Sequence, residues 1–180
     1  MRDLFEAQEG EALPLAPGAV VLRDFAQASA PTLLGEVQRV TAEAPWRHLV
    51  TPGGFRMSVA MTNCGALGWV SDRTGYRYDA VDPMSGLPWP AMPASFLQMA
   101  HDAAAAAGYD SFVPDACLIN RYEPGARLSL HQDRDEHDYA APIVSVSLGL
   151  PAVFLFGGAG AMRRPTRPRR HARAKPDVSC

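Results

Sequence analysis

Cysteine is scarce in this chain: Cys64, Cys117 and Cys180 are the only three in 180 residues. They are odd in number, widely spaced and without a Cys-x-x-Cys pair, which excludes a disulfide framework and a structural zinc site and fits a reducing cytoplasm. No apolar run approaches the length of a membrane span. The opening Met1-Arg-Asp-Leu-Phe-Glu6 is too acidic and too poor in apolar residues for a secretory signal. Internal repeats are missing, and neither charge is in large excess, with 17 Lys and Arg against 19 Asp and Glu. What is present is a hydrophobic content of 47%, enough for the core of one domain of this length.

The near-neutral balance is unevenly spread. Between Ala159 and Cys180 seven basic residues stand against Asp177 alone, giving +6, so with a net charge of -2 residues 1–158 carry -8. The basic segment has no apolar period, and its prolines forbid a continuous helix or ladder, so 159–180 is expected to be a disordered basic tail. A nucleic-acid-binding arm is its functional reading. Its Arg, Pro and Ala are also what a GC-rich gene yields out of frame, which makes a truncated or frameshifted C-terminus the expectation.

Residues 1–15 read as a loose lead-in and Ala19-Val-Val-Leu22 as a short strand. Leu33, Leu34, Val37 and Val40 recur at helical spacing, which predicts a helix from Pro31 to Glu43. From Thr51 to Pro93 the density of Gly, Pro and aromatics predicts turns between short strands. A second helix follows Pro93, with Phe96, Met99, Ala100, Ala103, Ala104 and Ala107 on one stripe and Gly108 closing it. Beyond it the period falls to two. Strands are predicted at 116–122, 128–133, 143–150 and 153–156, the first pair joined by a turn at Glu123-Pro124-Gly125.

On the second of these strands His131 and Asp133 are two residues apart and emerge from one face. An imidazole nitrogen and a carboxylate oxygen, with one further histidine, make the facial triad that leaves iron positions open for a co-substrate and oxygen. Asn120 and Tyr122 repeat the spacing across the turn. A merely solvated sheet face would show the same polar row.

Longer stretches narrow the choice. Val50-Thr-Pro-Gly-Gly-Phe55, Met57-Ser-Val-Ala-Met-Thr-Asn-Cys-Gly65, Leu67-Gly-Trp69, Pro88-Trp-Pro-Ala-Met-Pro93, Pro114 to Asp133 and Ala141 to Leu150 run in the order and spacing of one family. The chain resembles the AlkB family of Fe(II) and 2-oxoglutarate-dependent dioxygenases over residues 1 to about 158. The resemblance implies an α+β, mainly β fold: a double-stranded β-helix, or jelly-roll, with an N-terminal nucleotide-recognition lid at about 45–90, two supporting helices and a partial core at 114–158 whose closing C-terminal strands are missing. It implies His131 and Asp133 as iron ligands and Asn120, Arg121 and Tyr122 at the 2-oxoglutarate. Trp69, Tyr76, Arg77, Tyr78 and Asp135 would meet the substrate, although an apolar residue is more usual than Arg77 between the two tyrosines. No protein nucleophile or base is implied.

The implied activity is repair of alkylated DNA or RNA by a monomeric cytoplasmic enzyme. N-methyl groups of bases such as 1-methyladenine and 3-methylcytosine are oxidised with Fe(II), O2 and 2-oxoglutarate, releasing formaldehyde, succinate and CO2. Such a base must leave the stack, and being cationic it suits aromatic faces and a carboxylate. The family continues past Gly157-Gly158 with a strand bearing the second iron histidine and another bearing an arginine for 2-oxoglutarate, and 159–180 matches neither. The third ligand is therefore absent or His171, and a non-catalytic nucleic-acid-binding remnant stands as the alternative. An acidic body also repels phosphate, so binding needs arginines grouped near the lid.

Overall fold

A computed structural model describes residues 12–129, 131, 136, 138–150, 153–157 and the backbone of 175–179. Its elements are β1 (Ala12–Ala16), β2 (Ala19–Leu22), α1 (Ala30–Glu43), β3 (Ala60–Gly65), β4 (Gly68–Asp72), β5 (Gly75–Asp79), α2 (Ala94–Ala106), β6 (Ala116–Arg121), β7 (Ser147–Leu150) and β8 (Lys175–Ser179). They form two hairpins, β1-β2 and β4-β5, and a four-stranded antiparallel sheet ordered β3-β6-β8-β7. None of the described helices is long and apolar enough to cross a membrane.

Both helices fall where their periodicity predicts. In α1, Pro31 sits in the first turn, where its missing N–H costs nothing, and Leu33, Val37 and Val40 are the buried stripe. In α2 the buried residues are Phe96, Met99 and Ala104. Gly108 (φ +91°) ends it: the Gly108 N–H reaches the Ala105 carbonyl at 2.9 Å and the Tyr109 N–H reaches that of Ala104 at 2.9 Å. This pair of bonds is the Schellman closure, which needs a left-handed residue where glycine stands.

The two helices cover one face of the sheet, packing on Cys64, Cys117, Ile119 and Leu148. Thr62, wholly buried on the same parity as Cys64, donates to the Ala44 carbonyl at 2.7 Å and so satisfies the C-terminal end of α1. Strand alternation then sends Met61 and Asn63 of β3 and Leu118 and Asn120 of β6 to the other face. Asn120, one of the expected 2-oxoglutarate residues, lies on that face.

Four expectations change. The lead-in is not wholly loose, because Ala12–Ala16 pairs with Ala19–Leu22 across Pro17-Gly18; a proline in the run suits an edge strand. The predicted 143–150 strand is confined to Ser147–Leu150, where β8 supplies ladder bonds. The segments 126–129 and 153–157 carry no strand, and Val153 to Phe156 are exposed; 130 and 132–135 lie outside the described residues. Finally, the segment expected to be a disordered tail holds a strand, since Lys175–Ser179 is β8, set between β6 and β7 with Ser179 opposite Asn120 and Val178 opposite Leu148, while 159–174 and 180 lie outside the described residues. One strand thus stands where closing strands were expected to be missing, and it pairs edges that would otherwise be open.

Candidate active site

Asn120 is on the helix-free face of β6, opposite Met61, and Tyr122 follows on the same parity just past the strand's end. Arg121 is turned the other way. Its guanidinium lies 5.1 Å from the Trp46 ring centroid and pairs with Glu123 at 2.9 Å, so it does not join Asn120 and Tyr122.

The chain then reverses at Glu123-Pro124-Gly125, where the Ala126 N–H meets the Glu123 carbonyl at 2.8 Å. The returning segment is fixed by a side-chain seam instead of a ladder. The Ser58 hydroxyl donates to the Arg127 carbonyl at 2.9 Å and accepts from the Arg127 N–H at 3.0 Å. Two residues on, the Ser129 carbonyl lies 2.8 Å from Nδ1 of His131. A carbonyl can only accept, so Nδ1 donates, the kind of outer contact that orients metal-binding histidines. Asp133, Asp135, His137 and His171 lie outside the described residues, and among the described residues no three His, Cys, Asp or Glu side chains converge.

The β4-β5 hairpin supplies an aromatic surface. Pairing sets Trp69 opposite Tyr78 and Ser71 opposite Tyr76, so these four side chains share a face, and the Trp69 and Tyr76 rings stack with centroids 5.6 Å apart and planes at 15°. The Tyr78 hydroxyl donates to Oε1 of Glu136 at 2.7 Å, which ties the hairpin to the segment just beyond His131. Arg77, between the tyrosines, faces the opposite side, pairing with Asp72 at 2.9 Å and Asp79 at 3.4 Å. Hydrogen bonds from the Thr74 hydroxyl and N–H, and then from Arg77, hold the exposed Asp72 carboxyl down at about 2. Of the five residues expected at the substrate, the structure thus gathers Trp69, Tyr76 and Tyr78 and turns Arg77 away.

Sequence reading missed Glu136, which has the wrong parity to stand with Asp135, and it missed the supports of the hairpin. Trp89, buried as expected of a core residue, also donates from Nε1 to the Asp79 carbonyl at 2.9 Å. The Arg47 guanidinium lies 5.3 Å from the centroid of its ring and grips Asp82 through both carboxylate oxygens. No spacing rule links residues 35 or more positions apart.

An antiparallel sheet backed by helices, a histidine held by a backbone carbonyl and a hairpin with stacked aromatics together belong to a recognisable class. The pattern of the 2OG-Fe(II) oxygenase superfamily matches residues 18–175. The chain is 63% identical over 158 residues to the "Alpha-ketoglutarate-dependent dioxygenase AlkB" of Salmonella typhimurium and 60% identical to that of Escherichia coli, in each case covering 88% of this chain and 73% of the relative. It therefore belongs to the AlkB family of 2OG-Fe(II) dioxygenases. Human "Nucleic acid dioxygenase ALKBH1" is 31% identical over 59% of this chain and 27% of its own. The solved structure of OsALKBH1 superposes with a TM-score of 0.72 at 24% identity, covering 94% of this chain and 81% of that one, which shows the mainly β jelly-roll fold. Membership implies Fe(II) and 2-oxoglutarate.

Proposed function

We infer that the chain is a nucleic-acid repair dioxygenase that removes N-methyl groups from bases such as 1-methyladenine and 3-methylcytosine in DNA, with RNA open to the same chemistry. The observation that carries this reading is the Trp69–Tyr76 stack bridged through Tyr78 and Glu136 to the segment of His131. A flipped base needs a flat aromatic partner next to the oxidising centre, and a methylated base, being cationic, gains further from an electron-rich ring. The extent of identity to two bacterial AlkB dioxygenases favours the enzyme over a binding remnant.

In this reading residues of about 45–90 form the lid and 114–158 the core. His131 and Asp133 hold iron, Asn120 and Tyr122 hold 2-oxoglutarate, and Asp135 meets the base beside Trp69, Tyr76 and Tyr78. The donor set fits: an imidazole oriented from Nδ1 and a carboxylate suit Fe(II) with open positions. Bound iron, O2 and 2-oxoglutarate supply the oxidation that carries the methyl group off as formaldehyde, with succinate and CO2 as co-products. The protein's own work is to flip, stack and neutralise the base and to keep the His131 ring aimed. The enzyme acts as a monomer, and its buried Cys64 and Cys117 thiols suit the cytoplasm.

The direct test is formaldehyde release from an oligonucleotide carrying 1-methyladenine, in the presence of Fe(II), 2-oxoglutarate and O2. Release no greater than in a chelated control would overturn the reading. Trp69→Ala is expected to weaken binding of a methylated single strand more than of the same strand unmethylated. Stacking is worth about 1–3 kcal/mol per base and a cationic ring adds to it. Titration of both oligonucleotides checks this, and equal losses would make Trp69 a packing residue.

A further inference from the structure

Asn63 leaves β3 on the helix-free face and is only 3% exposed. Its carboxamide is spent on one residue of the neighbouring hairpin. Nδ2 donates to the Trp69 carbonyl at 3.0 Å, and Oδ1 accepts from the Trp69 N–H at 3.0 Å. The side chain thus takes the part of a ladder partner for β4, and because an amide's donor and acceptor lie in one plane, both bonds survive for one backbone orientation of Trp69.

The contacts around this clamp leave no slack. A Cβ on Gly68 would stand 2.4 Å from Cε2 of Trp89 and 2.9 Å from the Asn63 Cβ, so only glycine lets β4 lie this close. Asp79, the cross-strand partner of Gly68, gives its carbonyl to Nε1 of Trp89. Two buried side chains therefore grip both strands of the hairpin at its root, one at Trp69 and one at Asp79. Everything further out, including the Trp69–Tyr76 stack and the Tyr78 bridge, inherits its position from that root.

We propose that Asn63 is a positioning residue that sets the Trp69–Tyr76 platform for an alkylated base, and so governs discrimination between methylated and unmethylated strands without touching either. This rests on the reading of Trp69 as the residue that stacks on the base. Aspartate cannot replace it, since a carboxylate would turn a second acceptor toward the Trp69 carbonyl and leave that carbonyl without its donor.

The test measures affinity of the full chain, without oxygen, for a single-stranded DNA oligonucleotide bearing one 1-methyladenine and for the same strand bearing adenine. Four proteins are compared: parent, Asn63→Asp, Trp69→Ala and the double variant, each with its thermal melt. Asn63→Asp is expected to reduce the methylated-to-unmethylated affinity ratio by about 10-fold, the scale of one lost buried hydrogen bond. In the Trp69→Ala background it should change the ratio no further, because a residue that acts through Trp69 then has nothing to position. If Asn63→Asp melts below the assay temperature, Asn63→Ala removes both bonds without burying a charge and carries the same expectation. An unchanged ratio in a folded Asn63 variant, or an equal change in both backgrounds, overturns the proposal and leaves Asn63 a packing residue. Trp69→Ala leaving the ratio intact is a different failure, that of the stacking reading itself.

Discussion

Asp82→Ala is expected to cost the fold about 3–5 kcal/mol, seen as a fall in melting temperature on the order of 10 °C. Asp82 is 3% exposed, and its carboxylate accepts from both Nη atoms of Arg47, from the Met84 N–H at 3.0 Å and from the Ser85 hydroxyl at 3.0 Å. Alanine would leave the Arg47 guanidinium buried and unpaired, and it is this stranded charge, more than the lost attraction, that makes breaking a buried pair expensive. The loop closed by Asp82 would lose its centre as well, since its backbone bonds to Leu87 and Gly86 depend on the same residue staying in place. Asp82→Asn, which keeps an acceptor, should lose less.

The same pair predicts a pH response. Burial pushes the Asp82 carboxyl up, but hydrogen bonds from Arg47, Met84 and Ser85 together outweigh it and hold the folded-state pKa below the ordinary 3.8. A depressed carboxyl stabilises the fold fully above the unfolded value and loses that contribution as pH falls through the folded one. Acid melts should therefore show the parent losing stability below about pH 4 more steeply than Asp82→Asn. Parallel curves for the two, or an Asp82→Ala melt within a degree or two of the parent, would mean the pair is neutral.

How much of this was legible from the sequence varies with the distance over which each feature is specified. Both helices, β2 and the Glu123-Pro124-Gly125 turn rest on local spacing and turn chemistry, and they fall where that spacing puts them. Strands depend on partners, and so β1, β8 and the shortened β7 could not be read from their own residues. The placement of Arg77 and Arg121 departs from their grouping for another reason. Each lies between two residues assigned to one site, and alternation along a strand alone separates Arg77 from Tyr76 and Tyr78, and Arg121 from Asn120 and Tyr122. The family resemblance had grouped what the period of two divides. Asn63, Trp89 and the Arg47–Asp82 pair were beyond reach for the opposite reason, since a side chain bonding a backbone or a side chain of another element leaves no periodic trace.

His131→Ala is expected to lower iron-dependent formaldehyde release by at least about 100-fold, the upper range for disturbing even the outer shell of a metal site. The imidazole is aimed through its Nδ1 bond to the Ser129 carbonyl, and Ser129 is held in turn because Ser58 fixes the backbone at Arg127. Removing the ring removes the proposed ligand that the surrounding chain has spent three hydrogen bonds to orient. Asp133→Ala carries the same expectation through the family resemblance. The aromatic surface on β4 and β5 is built from other contacts, so affinity for a methylated single strand should survive both changes within a few-fold. Metal analysis after dialysis separates the causes: loss of bound iron with retained strand binding supports the ligand role, whereas parent rates of formaldehyde release in both variants would place the iron elsewhere.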